Sequence, residues 1–111
     1  MELCRYDICL VDFNPAKGGE MGKLRPAIIM SQTEDNQALA TLIVIPLSTQ
    51  IEPNALPYRL TLPKRDKLNK ISDACINEIR SLSKTRVKEK IGTITAQEAQ
   101  SIQKSLCELI G

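Results

Sequence analysis

The sequence ATLIVIPL, at residues 40–47, is apolar on both faces of an extended chain. A β-strand points successive side chains to opposite faces, so apolar residues at both parities indicate burial on both sides. The isoleucine and valine content and the length of this segment favour a strand over a helix. We therefore expect residues 40–47 to form a central strand of a sheet.

Five further short apolar runs, separated by turn residues, predict five more strands. The run at 58–62 alternates apolar and polar residues, which indicates a half-buried strand with Arg59 and Thr61 facing water. Six short strands in a chain of 111 residues favour a curled, partly open antiparallel barrel, so the fold class is mainly β with helices, or α+β. The five runs are Tyr6–Phe13, Pro26–Met30, Tyr58–Leu62, Ala74–Leu82 and Gly92–Ile94.

An amphipathic helix is predicted at the end of the chain. Thr95 can cap its first turn, and Glu98 can bond back to the Thr95 nitrogen, which together form a capping box. Beyond the cap, apolar residues recur at helical spacing, and we expect this face to pack on the barrel. Residues 83–89 fit either a short helical turn or a loop. The apolar face consists of Ala99, Ile102, Leu106 and Leu109.

Length and composition indicate one domain, residues 1–111, with a formal net charge of +2 and 42% hydrophobic residues. The four cysteines are scattered without a CxxC pair and the chain has no histidine, so we expect neither a disulfide framework nor a metal site. No apolar stretch approaches the roughly 20 residues that a membrane-spanning helix needs. We therefore expect a soluble cytoplasmic protein.

Residues 14–25 are the least strand-like part of the chain and contain three of its five glycines. The Walker pattern needs glycine where Lys17 stands and serine or threonine where Leu24 stands, so this is not a nucleotide-binding P-loop. A plain surface hairpin and a mobile loop beside a site both remain open.

Arg25 lies just before the second predicted strand, and Ser48 directly follows the third. A planar, permanently charged guanidinium suits a phosphate, and a hydroxyl can donate to a phosphate oxygen. Each residue alone is more often a surface or turn residue. Their combination at the ends of two neighbouring predicted strands indicates a phosphate site.

Two cation-rich segments follow, with five cations in residues 80–90 and four in residues 63–70. Such runs are commonly solubilising surface, but they would attract a polyanion if they shared a face with Arg25. The cations are Arg80, Lys84, Arg86, Lys88 and Lys90 in the first segment and Lys64, Arg65, Lys67 and Lys70 in the second.

An ordered series of short motifs resembles the MazF/PemK family of toxin endoribonucleases across nearly the whole chain. The matching segments are Asp7-Ile8, Val11–Pro15, Gly19-Glu20, Lys23–Ile29, Pro46–Gln50, Ile79–Leu82, Arg86, Ile91–Ile94 and the terminal helix.

The resemblance implies an SH3-like barrel with a C-terminal helix, as in the CcdB, Kid and MazF toxins, and a homodimer. It implies the toxin of a type II toxin–antitoxin system that cleaves single-stranded RNA, such as mRNA, at short sequence motifs. Neither a metal nor another cofactor is expected, and the products carry 2',3'-cyclic phosphate and 5'-hydroxyl ends. A disordered segment of a cognate antitoxin is expected to occupy the RNA groove.

In that family the catalytic pair corresponds to Arg25 and Ser48, although threonine is more common at position 48. The 2'-hydroxyl of RNA is itself the nucleophile, so Arg25 is expected to bind the scissile phosphate and Ser48 to donate to a nonbridging oxygen. Glu20 is the carboxylate we expect to act as base, because the chain has no histidine. The residues expected to contact RNA are Lys23, Thr49, Gln50, Asn77, Glu78 and Arg80.

Two other functions remain open at this stage. A CcdB-like protein with the same barrel would bind and inhibit DNA gyrase without cleaving anything, but the retention of both Arg25 and Ser48 argues against it. A catalytically silent barrel that binds RNA or a partner protein is the second alternative. It stays open because Ser48 stands where threonine is more common in the family and Glu78 stands where glutamine is frequent. Glutamine can donate a hydrogen bond to a base edge, whereas ionised glutamate can only accept one.

Overall fold

The computed structural model describes residues 1–14 and 23–111, with the side chains of Asn14 and Lys23 left out. Most of the predicted loop at 14–25, including Glu20, lies outside these residues.

The described residues form a curled antiparallel sheet of seven strands with a helix at the C-terminus. The strand order is β4-β5-β3-β2-β1-β7, and β6 also pairs with β3. The predicted fold class is therefore confirmed. The strands are β1 Asp7–Asn14, β2 Lys23–Ile29, β3 Thr41–Ser48, β4 Arg59–Leu62, β5 Ser72–Cys75, β6 Arg80–Ser83 and β7 Val87–Thr93; the helices are α1 Thr33–Ala38 and α2 Ala96–Ile110.

The prediction that residues 40–47 form a central strand is confirmed by β3. One edge of β3 pairs with β2. The other edge pairs with β6 in the first half of β3 and with β5 at its end. Alternate residues of β1, β2 and β3 enter two apolar clusters, one on each face of the sheet. Ile45 and Leu47 lie in the first cluster with α2, whereas Leu42 and Val44 lie in the second. Residues 44–47 are buried on both faces, which explains why they are apolar at both parities.

The prediction of one strand at Ala74–Leu82 is wrong, because this segment contains the end of β5, a 3₁₀ turn at Ile76–Glu78 and most of β6. Leu47 pairs with Ala74 and Val44 pairs with Arg80. The segment from Ala74 to Arg80 therefore advances by six residues where β3 advances by only three. The extra residues leave the ladder as the 3₁₀ turn, which apolar content alone does not reveal.

Two other elements differ from the sequence prediction. Strand β7 begins at Val87, whereas the sequence predicts a strand only from Gly92. The first part of β7 lacks an apolar pattern because its exposed residues 88–90 are all charged. The short helix α1 was not predicted, because its buried residue is the polar Asn36. The Asn36 amide donates to the Leu3 carbonyl at 2.9 Å, so hydrogen bonding rather than an apolar face holds α1 in place. Residues 84–86 form a 3₁₀ turn, consistent with the helical alternative.

The predicted capping box of α2 is confirmed. The Thr95 hydroxyl accepts from the Glu98 amide at 3.1 Å, and the Glu98 carboxylate accepts from the Thr95 amide at 2.8 Å. Arg65 donates to both oxygens of the same carboxylate, with an Nη2–Oε2 distance of 2.6 Å. The Arg65 hydrogen bond, opposed by burial, holds the pKa of Glu98 below its usual value. The apolar face of α2 is also as predicted, with Ala99 and Ile102 buried.

No helix in the described part of the chain is both long and apolar enough to cross a bilayer.

Replacing Ile102 by alanine should destabilise the protein, because this side chain is fully buried between α2 and the sheet. We expect the free energy of unfolding to fall by about 2–5 kcal/mol, measured by urea denaturation at one fixed protein concentration. Ile110→Ala in the same helix is the matched control, because Ile110 is 75% exposed, and it should change stability by about 0.5 kcal/mol or less. Equal losses in both variants would contradict the packing described here.

The Glu98 carboxylate should stabilise the fold only while it is ionised. Its folded-state pKa is depressed, so its contribution is complete above its usual pKa of 4.5 and disappears as pH falls through the lower folded-state value. Glu98→Gln should cost about 1.5–3 kcal/mol near neutral pH, the loss expected for charged hydrogen bonds. Urea denaturation at a series of acidic pH values should show that the difference in unfolding free energy between wild type and Glu98→Gln becomes smaller as pH falls. A difference that persists unchanged in acid would rule out the charge as its cause.

Candidate active site

Arg25 and Ser48 line one open cavity of about 390 Å³. Ala27 of β2 pairs with Pro46 of β3, and continuing this register by two residues on each strand places Arg25 opposite Ser48. Cross-strand partners lie on the same face of a sheet, so the pairing brings the guanidinium and the hydroxyl to the same side. The cavity is lined by Leu24, Arg25, Pro26, Leu47, Ser48, Thr49 and Gln50.

The two predicted catalytic side chains differ in exposure and in contacts. Arg25 is exposed, whereas Ser48 is half-buried. The Ser48 oxygen accepts a hydrogen bond from the Gln50 backbone amide at 3.1 Å. A hydroxyl that accepts in this way still has its proton to donate, so Ser48 can donate to an oxygen of a bound anion. A charged fork beside a hydroxyl donor is an arrangement suited to a phosphate group.

The other predicted site residues occupy different places. Thr49 and Gln50 are exposed and line the same cavity as Arg25 and Ser48. Arg80 pairs with Val44, which is four residues before Ser48, so alternation places Arg80 on the same face of the sheet. Its guanidinium lies 5.4 Å from the centre of the Phe13 ring. Asn77 and Glu78 are exposed on the 3₁₀ turn and are not among the residues that line this cavity. Lys23 is described only by its backbone pairing with Asn14, so its predicted RNA contact stays a prediction.

Several cations of the two basic segments make structural contacts, which argues against one continuous surface for a polyanion. Lys84 donates to the Asn36 carbonyl at 2.9 Å, and Arg86 donates to the Phe13 carbonyl at 3.2 Å. Lys90 pairs with Asp7 at 3.1 Å. Their side chains hold strands, turns and α1 together.

Lys67 and Lys70 of the second basic segment lie beside the candidate site. They line a second cavity of about 260 Å³, to which Pro26 and Thr49 of the first cavity also contribute. Lys67 pairs with Glu89 at 3.1 Å on the exposed surface. Lys67 and Lys70 therefore approach the candidate site through the shared lining residues Pro26 and Thr49, whereas a face shared with Arg25 stays a prediction.

Sequence reasoning missed Asp73, a fully buried carboxylate that pairs with Ser48 in the sheet. It accepts hydrogen bonds from the Thr61 hydroxyl at 2.6 Å, the Glu52 amide at 2.8 Å and Arg59 at 3.4 Å. The prediction that Arg59 and Thr61 face water is confirmed for Thr61, which is exposed, whereas Arg59 is only 21% exposed; both side chains also bind this aspartate. The sequence signal that could have revealed it is a single aspartate directly before an apolar run. The predicted strand begins one residue later, at Ala74, and therefore leaves Asp73 out.

Shifted pKa values define the charge states of Arg59 and of two buried cysteines. Burial acts to lower the pKa of Arg59, but acidic neighbours that include Asp73 and Glu52 outweigh it and leave this pKa above its usual value. Burial also raises the pKa of Cys75, despite the opposing charge of Arg59, and raises the pKa of Cys9 to about 11. Arg59 is therefore a permanent cation, and these two cysteines are neutral thiols without nucleophilic character at neutral pH.

Sequence and fold comparisons place the chain among known toxins. The profile of the family described as "PemK-like, MazF-like toxin of type II toxin-antitoxin system" matches residues 4–110. The chain belongs to this family. A PemK/MazF relative, the Endoribonuclease MazF of Staphylococcus saprophyticus, is 29% identical over 103 residues, which cover 92% of this chain and 86% of the relative.

Solved structures of PemK/MazF proteins share the fold. A chain in the MazE–MazF structure of Deinococcus radiodurans matches with a TM-score of 0.81 at 19% identity, and the match covers 100% of this chain and 98% of that chain. MazF alone from the same organism matches with a TM-score of 0.76 at 22% identity and coverages of 97% and 96%. A mycobacterial endoribonuclease in complex with its cognate antitoxin matches with a TM-score of 0.73 at 19% identity and coverages of 100% and 96%.

Proposed function

We propose that this chain is the toxin of a type II toxin–antitoxin system and acts as an endoribonuclease on single-stranded RNA, including mRNA. The observation that carries the proposal is the shared cavity of Arg25 and Ser48. The family membership and the endoribonuclease name of the staphylococcal relative support the same activity.

The proposed reaction uses the 2'-hydroxyl of the RNA as nucleophile. Attack on the adjacent phosphorus expels the 5'-oxygen of the next nucleotide and leaves 2',3'-cyclic phosphate and 5'-hydroxyl ends. The positive charge of Arg25 stabilises the negative charge that develops on the phosphoryl oxygens. The Ser48 hydroxyl donates to a nonbridging oxygen, while its own oxygen is held by the Gln50 amide. Glu20 remains the proposed base, and its position is outside the described residues.

Residues around the cavity provide a path for the RNA strand. Thr49 and Gln50 line the cavity and can contact the nucleotides beside the scissile phosphate. Arg80 adds a cation on the same face of the sheet. Asn77, Glu78 and Lys23 keep their proposed role in RNA contact, the first two as exposed groups next to β3.

Solved relatives support the antitoxin as a proposed partner. Deinococcus MazF forms a complex with MazE, and the mycobacterial endoribonuclease binds a cognate antitoxin. We infer a cognate antitoxin for this chain, with a disordered segment in the RNA groove, and a homodimer as the active form.

The gyrase-inhibitor alternative is not favoured, because the family profile that matches residues 4–110 is that of PemK and MazF toxins. A silent RNA-binding barrel remains the relevant competitor. It predicts the same RNA affinity but no cleavage, so the activity assay separates the two.

Arg25→Ala should abolish most RNA cleavage, because the charge that stabilises the transition state is lost. We expect purified protein to cleave a long single-stranded RNA in the presence of chelator, and Arg25→Ala to slow cleavage by about 10²–10³-fold. Ser48→Ala should slow it as well, whereas Ser48→Thr should retain activity because it retains the hydroxyl. The readout is single-turnover cleavage with analysis of the product ends.

Lys64→Ala is the matched control, because it removes an exposed cation that does not line the described cavities. It should leave the rate within about 2-fold of wild type. Intact RNA with the wild-type protein, despite retained binding, would support the silent barrel. Cleavage that needs a divalent ion would contradict the proposed cofactor-free reaction.

A further inference from the structure

The segment that follows Ser48 is held at two backbone positions by the side chains of buried Asp73 and partly exposed Arg59. Asp73 accepts a hydrogen bond from the Glu52 amide at 2.8 Å, and Arg59 donates to the Gln50 carbonyl at 3.0 Å. Arg59 also donates to Asp73, and Thr61 donates to the other oxygen of the same carboxylate. We call these four contacts, made by Asp73, Arg59 and Thr61, the Asp73 network.

The Asp73 network lies beside the candidate catalytic hydroxyl, on the two strands that follow β3 in the sheet order. Asp73 pairs with Ser48 across β3 and β5, and Thr61 pairs with Asp73 across β4 and β5. The three side chains therefore share one face of the sheet. Asp73 is completely buried and Arg59 is 21% exposed, so the ion pair between them is partly shielded from water.

A serine needs such support more than a threonine does. Threonine is restrained at χ1 by its β-branch, whereas serine moves among three staggered rotamers. The contact that restrains Ser48 here is the hydrogen bond from the Gln50 amide to its oxygen. That amide keeps its place only if residues 50–52 keep theirs, and the Asp73 network holds both ends of this short segment.

A buried carboxylate is unfavourable for folding unless it is paired and fully hydrogen-bonded. Asp73 has the required donors, and one of its contacts is to the backbone of the segment that carries the Ser48 contact. Core packing alone does not explain a charge at this position, since an apolar residue would fill the space.

From these contacts we propose that Asp73 is a positioning residue that orients the Ser48 hydroxyl toward the scissile phosphate through Arg59, Gln50 and Glu52. The inference rests on the proposed function, in which Ser48 donates to the RNA phosphate. Asp73 itself touches neither the cavity nor the substrate.

The test uses Asp73→Asn, which keeps the size of the side chain but removes its negative charge and one of its two acceptor oxygens. We expect kcat for RNA cleavage to fall by about 10- to 100-fold, because the hydroxyl is misplaced, while KM changes by about 2-fold or less. Introducing Asp73→Asn into Ser48→Ala should cause no further loss, since the group it positions is already absent. Ser48→Thr should restore part of the activity to Asp73→Asn.

The control for a general loss of stability is Glu98→Gln, which breaks another carboxylate–arginine pair away from the cavity. It should leave kcat unchanged. If Asp73→Asn does not fold, Arg59→Gln replaces it, because Arg59 reaches Gln50 from the partly exposed side of the network. Equal losses from Asp73→Asn in the wild-type protein and in the Ser48→Ala variant would overturn the proposal.

A second measurement does not depend on RNA cleavage. Amide hydrogen exchange should quicken at Gln50 and Glu52 in Asp73→Asn but stay unchanged at Ile28 within the β2–β3 ladder. If wild-type protein leaves RNA intact, the proposed function fails while this measurement still decides whether Asp73 holds the segment. Unchanged exchange at both amides would overturn the positioning role even if the wild type cleaves RNA.

Discussion

The antiparallel pairing of β2 with β3 is the constraint on which the candidate site depends. In its register Ala27 lies opposite Pro46, and Arg25 and Ser48 consequently reach one cavity. A slip of one residue would turn the guanidinium to the opposite face of the sheet. Such a slip would also move Ile45 and Leu47 out of the first cluster and Leu42 and Val44 out of the second, so the packing on both faces opposes it. Core packing thus sets the geometry of a polar site.

The two halves of the site are held by different interactions. Arg25 is carried by a paired strand, so backbone hydrogen bonds define where its side chain begins. Ser48 stands at the end of a strand, where pairing with β5 gives way to a short connecting segment. Polar side chains replace the ladder there, and buried Asp73 is their common acceptor. Such a combination of a packed sheet and a buried polar network is suited to holding reacting groups in fixed positions.

The sequence predicted those features that depend on neighbours along the chain. The capping box of Thr95 and Glu98 and the apolar face of α2 were confirmed, as was the central strand at β3. Predictions failed where a distant partner reverses a local preference. Arg59 has the pattern of a water-facing residue, but the opposite strand presents a buried carboxylate to it. Strand β7 is concealed by its charged residues, and α1 by the polar character of its buried asparagine.

By itself the sequence determined the composition of the core, the cap of the last helix and the two residue types from which a phosphate site can be built. These follow from periodicity and from hydrogen bonds between residues a few positions apart. Only the tertiary structure decided that Arg25 and Ser48 share a cavity, and that buried Asp73 lies beside Ser48 on the neighbouring strand. Strand register, sheet order and burial arise from contacts between residues distant in the chain, and a residue's local pattern carries no information about which partner will face it.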